Sequence, residues 1–219
     1  MDMNQAVIEL LQDESVIGVG TGSTVEGCIR QWPHAFMDKS YVVSSERTRL
    51  FMVQAGYDVR PLTDVCVLQF YIDGVDQIDK SGRALKGRGA AMTQEKLLAS
   101  MSQRRIAMAQ PHKVADVLDN AVHALPIEVI PQARSYVARC VMRAYPHAHI
   151  ELRQGVKTDQ GNVVLDLYGL EPEELAASEA FLKSICGVLD HGLFVQTRFD
   201  ECWVDRGQDA AHMVFNPIQ

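Results

Sequence analysis

Apolar residues fall into short runs broken by glycine, serine and threonine, and these runs alternate with stretches of mixed apolar and polar spacing. Residues 3–12 carry the mixed spacing of a helix, 16–20 (VIGVG) form an apolar run that breaks into TGST, and 24–32 restart as a helix. The same alternation predicts a strand at 41–44, a helix at 46–55, a strand at 67–72 ending at Asp73, a helix at 95–104 and a strand at 105–109. Repeated strand–helix order predicts an α/β fold with a Rossmann-like open parallel sheet flanked by helices on both faces.

Past Leu125 the pattern changes to strand 127–130, helix 132–144, strands 149–153 and 162–167, helix 172–186 and strand 189–195. This β-α-β-β-α-β order is the split βαβ arrangement of ferredoxin-like domains. An inserted ferredoxin-like α+β domain is therefore expected over 125–196. The Rossmann-like domain would comprise 1–124 and 197–219, with a returning strand at 201–204.

Composition narrows the classes. At 219 residues, 47% hydrophobic and 22% charged, the chain can bury a full core without a covalent staple. A net charge of −7 disfavours nucleic acid and anionic membranes as partners, because phosphate backbones are gripped by clustered Lys and Arg. The five cysteines are scattered and never spaced as C-x-x-C, which supports neither a disulfide framework nor a zinc cluster and points to a reducing cytoplasm. Residues 1–11 lack the basic start and apolar run of a signal peptide, and no stretch reaches the roughly 18 apolar residues of a spanning helix. Nor do the histidines show metal-ligand spacing. No metal is expected, and His191 beside Asp190 reads as a domain-surface residue.

Four segments can carry chemistry. In Gly18-Val19-Gly20-Thr21-Gly22-Ser23-Thr24 a strand enters a glycine loop whose backbone N–H groups and hydroxyls can surround a phosphate. Taken alone the loop is equally a structural βα turn, and it has neither Walker nor dinucleotide spacing. Tyr71-Ile72-Asp73-Gly74-Val75-Asp76 sets two carboxylates at a strand's C-terminal end, where open α/β sheets bind ligands, although Asp-Gly also makes plain solvated turns. In 86–96 (KGRGAAMTQEK) a small-residue loop follows Lys86 and enters a helix. Thr93 is a candidate cap there, and Glu95 sits in the first turn, where the helix dipole favours the carboxylate form of a base; a merely favourable first-turn acid is the alternative. Lys113, just past a predicted strand, can face a bound phosphate or stand as an ordinary surface lysine.

Together these segments resemble the type A family of ribose-5-phosphate isomerases. The likeness spans nearly the whole chain: VGTGST at 19–24, SSE at 44–46, YIDGVD at 71–76, LKGRGAAMTQEK at 85–96, LPIEVIP at 125–131, RQGVKTDQGNVVLDL at 153–167 and GVLDHGLF at 187–194. It implies a cofactor-free aldose–ketose isomerase of the pentose phosphate pathway, forming a homodimer or higher oligomer. By the same resemblance Glu95 is the general base, working through an enediolate. Asp73 and Asp76 hold the sugar hydroxyls, Asp73 being a candidate for moving the O1/O2 proton. Lys86 stabilises the enediolate oxygens. Thr21, Gly22, Ser23, Thr24 and Lys113 take the phosphate end, while Gly74, Val75, Gly87, Arg88 and Gly89 line the substrate.

The sequence also departs from the family. Residues 1–12 hold no lysine where one usually grips phosphate, Arg88 stands where glycine is common, Gln77 replaces an acid, and Gln110-Pro111-His112 precede Lys113. An active enzyme with altered binding is expected. The rival reading is a sugar-phosphate sensor of the same fold without turnover, and the retained Glu95, Lys86, Asp73 and Asp76 argue against it.

Overall fold

The computed structural model describes residues 1–215. From the N-terminus, α1 (Met3–Leu11) precedes β1 (Val16–Val19), α2 (Ser23–Ile29), β2 (Ser40–Val43), α3 (Glu46–Gln54), β3 (Asp58–Val59) and β4 (Leu68–Gly74). Next come β5 (Gln77–Asp79), β6 (Ala84–Leu85), α4 (Met92–Ser100), β7 (Ser102–Ala109) and β8 (Val114–Ala115). The remainder is β9 (Leu125–Val129), α5 (Arg134–Ala144), β10 (His149–Leu152), β11 (Val163–Tyr168), α6 (Pro172–Ser184), β12 (Val188–His191), β13 (Leu193–Phe194), β14 (Glu201–Asp205) and β15 (Ala210–Val214).

The chain forms two compact units. The first comprises Met1–Val75, Gln94–Val114 and the described chain from Thr197 onward; the second comprises Asp76–Thr93 and Ala115–Gln196. Residues 216–219 of the expected 197–219 return lie outside the described residues.

In the first unit seven strands run in the order β15-β14-β7-β4-β1-β2-β3, all neighbours parallel except β14 with β15. This is the expected open parallel sheet. Strand order reverses between β1 and β4, the position at which crevices open beyond the strands' carboxyl ends. Apolar side chains of β1 and β4, among them Ile17, Val19 and Ile72, pack with Val7 and Leu11 of α1 and with Val25 and Ile29 of α2. Trp32 stacks on Tyr41 at 5.1 Å, and the Tyr41 hydroxyl donates to Phe36 O, so the ring is buried without stranding its polar tip.

Local propensity loses to strand pairing at one place. The expected helix 95–104 instead starts at Met92 and stops at Ser100, and Ser102–Arg104 are extended. Leu68 pairs with Ser102 and Phe70 with Arg104, while the Arg104 guanidinium lies 4.7 Å over the Phe70 ring and bonds Glu201. Sheet pairing and these cross-strand contacts outweigh the few tenths of a kcal/mol by which such residues favour helix.

The second unit contains the antiparallel sheet β10-β11-β9-β12 with α5 and α6, which is the ferredoxin-like strand order and connectivity. Its core gathers Leu125, Ile127, Val129, Val137, Leu165 and Leu182. The predicted strand 189–195 breaks at Gly192. Up to His191 the chain pairs with β9, but Gly192 donates to Pro126 O and accepts from Lys86 N, and β13 then pairs with β6. A Cβ at Gly192 would overlap the Lys86 carbonyl, so only glycine permits this crossing. The short hairpin β5–β6, closed by a turn in which the buried Asp79 carboxylate accepts from the backbone of Ser81 and Arg83, is too brief to show in periodicity, and β15, which buries none of its five residues, carries no core-facing apolar pattern.

Candidate active site

In the first unit the glycine loop and the acidic strand end lie side by side. Val19 of β1 pairs with Ile72 of β4, which sets Gly20 against Asp73, and Gly20 N donates to Ile72 O. The Asp73 carboxyl occupies the place a side chain at residue 20 would fill: a Cβ added to Gly20 would overlap it. Asp73 is fully buried, with its Oδ2 accepting from the Tyr71 hydroxyl and Oδ1 from Gly74 N at 2.7 Å.

The loop beyond Gly20 is braced from α3. Ser45 caps that helix by accepting from Thr48 N, and its hydroxyl donates to Thr21 Oγ1 at 2.9 Å; Thr48 Oγ1 donates to Gly20 O. Gly22 caps α2 at φ 117°, a left-handed-side conformation that side chains resist. Thr24 packs against Gly74, whose Cβ, were it present, would stand 3.6 Å from Thr24 Cβ. Lys113 reaches the same end of β4 through its Nζ, which donates to Val75 O at 2.7 Å.

Glu95 occupies the first turn of α4 and is 3% exposed. The Tyr71 phenol senses both carboxylates. Burial, followed by the negative charges of Asp73 and Glu95, holds its pKa well above the ordinary tyrosine value, so Tyr71 stays a donor at any physiological pH.

The second unit holds the remaining candidates. Lys86 follows β6 and is 3% exposed; its N donates to Gly192 O and its Nζ lies 5.9 Å from the centre of the Phe194 ring. Gly87 takes φ 96°, and a Cβ there would press on Pro126 and Met92. Arg88 and Gly89 are exposed, and Arg88 N donates to Asp76 Oδ2 at 3.1 Å. Gln77 accepts from Asp119 N through its amide oxygen.

Thus the first unit gathers Thr21, Gly22, Ser23, Thr24, Asp73, Gly74, Val75, Glu95 and Lys113, whereas Asp76, Lys86, Gly87, Arg88 and Gly89 belong to the second. Two sequence readings need correction. Thr93 is no cap: the helix begins at Met92, and the Thr93 hydroxyl donates to Glu128 of β9, a fully buried carboxylate that needs donors. His191 is not on the surface either, being 1% exposed with Nε2 donating to Glu179 O. Tyr71, Ser45 and Thr48 carry no clear signal in the sequence, although YIDGVD and SSE contain the first two: an S-x-x-T cap before a helix is a weak signal, and a tyrosine on a strand reads as core.

Two buried carboxylates beside a loop braced through its hydroxyls form an arrangement able to hold a polyol and move its protons. Among the described residues no group of three or more His, Cys, Asp or Glu side chains is placed to hold a metal ion, and no helix is long and apolar enough to cross a membrane.

The family model for ribose 5-phosphate isomerase A (phosphoriboisomerase A) matches residues 40–209. The ribose-5-phosphate isomerase A of Haemophilus ducreyi is 38% identical over 194 residues, covering 88% of this chain and 87% of that protein. The crystal structure of ribose 5-phosphate isomerase A from Neisseria gonorrhoeae is similar with a TM-score of 0.87 at 29% identity, over 100% of this chain and 95% of that one. A D-ribose-5-phosphate isomerase solved in complex with phospho-erythronic acid gives a TM-score of 0.84 at 28% identity, over 97% of each chain.

Proposed function

Because the chain belongs to the ribose 5-phosphate isomerase A family, a family of aldose–ketose isomerases, we propose that it interconverts D-ribose 5-phosphate and D-ribulose 5-phosphate. The observation that carries this reading is the pairing of Glu95, buried in the first turn of α4, with Asp73, buried at the end of β4 against Gly20.

Glu95 is the general base. In the aldose-to-ketose direction its carboxylate takes the C2 proton, the carbonyl π electrons move onto O1 to give an enediolate, and the same carboxyl returns the proton to C1. The helix dipole favours the ionised form that starts this cycle. Asp73 carries the proton between O1 and O2 and is held in place by Tyr71 and Gly74 N. Asp76 binds sugar hydroxyls, and Lys86 opposes the charge that develops on the enediolate oxygens, a contribution that is greatest where water is excluded. Phosphate binds at Thr21–Thr24 and Lys113, with Gly87, Arg88 and Gly89 lining the sugar. The enzyme works without a cofactor, as a homodimer or larger assembly in the cytoplasm, within the non-oxidative pentose phosphate pathway.

The test is conversion of ribose 5-phosphate by purified, metal-stripped protein beside Glu95→Gln. Turnover by the native chain, lost in the variant while sugar-phosphate binding persists, supports the proposal. Binding by both without turnover by either would make the chain a sensor.

A further inference from the structure

The loop that carries Lys86 lacks regular backbone support. β6 ends at Leu85 and α4 begins only at Met92. Between them Gly87 is left-handed and Ala90 has φ 60°, a conformation that strains a non-glycine residue. A cavity of about 340 Å³, lined by Asp76, Arg88, His123, Arg153, Asp166 and Tyr168, lies against this stretch, so side-chain packing does not hold it from that side.

A guanidinium does. Arg153 follows β10, and Asp166 lies on the neighbouring β11. Arg153 Nε and Nη2 form a fork onto the two oxygens of Asp166, at 2.8 and 2.5 Å, with side-chain exposures of only 17% and 8%. Its Nη1 donates to the carbonyls of both Gly87 and Arg88, each at 3.0 Å. The other end of the Gly87–Arg88 peptide completes the arrangement, since Arg88 N donates to Asp76 Oδ2. One planar cation, aligned by one carboxylate, therefore fixes the backbone directly after Lys86 and, through Arg88, the carboxylate of Asp76. A lysine offers a single point charge and cannot serve Asp166 and two carbonyls in this geometry.

We propose that Arg153, oriented by Asp166, is a positioning residue that sets Lys86 and Asp76 for the reaction. This rests on the isomerase reading above. Arg153 touches no reacting atom in this scheme, so its effect runs through loop placement, where an error of about 1 Å can cost on the order of 100-fold in rate.

The experiment compares the native protein with Arg153→Lys, Asp166→Asn and the double variant, all checked for fold by circular dichroism and thermal unfolding. Asp166→Asn is isosteric and carries the test in a variant whose packing is unchanged. Arg105→Lys is the matched control, because Arg105 makes a comparable fork onto Asp200 away from this loop, at 2.9 Å for both contacts. The expected result is a fall in kcat of about tenfold or more in folded Arg153→Lys and Asp166→Asn, exceeding any rise in KM. The double variant should be no worse than the weaker single one, and Arg105→Lys should shift only the melting temperature. Folded variants with native kcat and KM would overturn the positioning role and leave the isomerase standing. Native protein without turnover would remove the isomerase reading, and the positioning role with it.

Discussion

The Tyr71 hydroxyl donates to Asp73 Oδ2, two residues along the same strand and on the same face, with both groups fully buried. A fixed neutral donor thereby satisfies one oxygen of a buried carboxyl group. Tyr71→Phe removes that donor at little change in volume. We expect a loss of about 1–3 kcal/mol in urea unfolding, and a fall in kcat, because the Asp73 carboxyl is then held in place by Gly74 N alone of these two donors.

The same pair predicts alkaline behaviour. The native Tyr71 pKa lies well above the value of about 10 for an unfolded chain, so both states are protonated below pH 10 and Tyr71 adds no pH dependence there. Above pH 10 the unfolded state sheds its proton first. Stability then falls with rising pH, by up to about 1.4 kcal/mol per pH unit for this group, until the native phenol also ionises. Denaturant titrations between pH 9 and about 11.5 should show a shallower decline in Tyr71→Phe than in the native protein.

Gly20→Ala places a methyl group in the space of the Asp73 carboxyl. Overpacking of this kind costs about 1–3 kcal/mol. Displacement of Asp73 should also cut kcat/KM by at least about tenfold, whereas Gly27→Ala, whose added Cβ meets nothing within 4 Å, should leave kcat/KM unchanged. Equal kinetics in the two variants would separate Asp73 from the chemistry.

Glu128 is a fully buried carboxylate whose oxygens accept from Thr93, from Thr158 at 2.6 Å and from Asn162 at 2.9 Å. Glu128→Ala strands three neutral donors and should destabilise the protein measurably, each donor left buried and unpaired costing about 1–3 kcal/mol. Glu128→Gln keeps one acceptor oxygen and should cost less. Chemical denaturation of both variants measures the difference.

Cysteine reactivity should divide by burial. Cys66 and Cys186 are exposed, while burial pushes the Cys28 thiol up to about 11 and Cys202 up to about 12. At pH 8, mapping after brief treatment with a thiol reagent should find Cys66 and Cys186 modified and Cys28 and Cys202 modified only after unfolding.

Sequence by itself determined the alternation of elements, the parallel sheet followed by the β-α-β-β-α-β segment, and the glycine loop and the carboxylates Asp73 and Glu95 as candidates for chemistry. Those features are local, or repeat with a short period, and a fixed hydrophobic pattern records them. Tertiary structure decided what depends on distant partners. Ser102–Arg104 became strand because Leu68 and Phe70 offered pairing. Thr93 turned from the helix end to Glu128, 35 residues away, and His191 went inside because the Glu179 carbonyl could accept its ring N–H. Arg153 and Asp166 stand within one motif, 153–167, but nothing in the sequence pairs them, and their target, the carbonyls of Gly87 and Arg88, lies more than sixty residues before Arg153. Side-chain identity states which hydrogen bonds a residue can make; only the folded backbone brings the partner within reach.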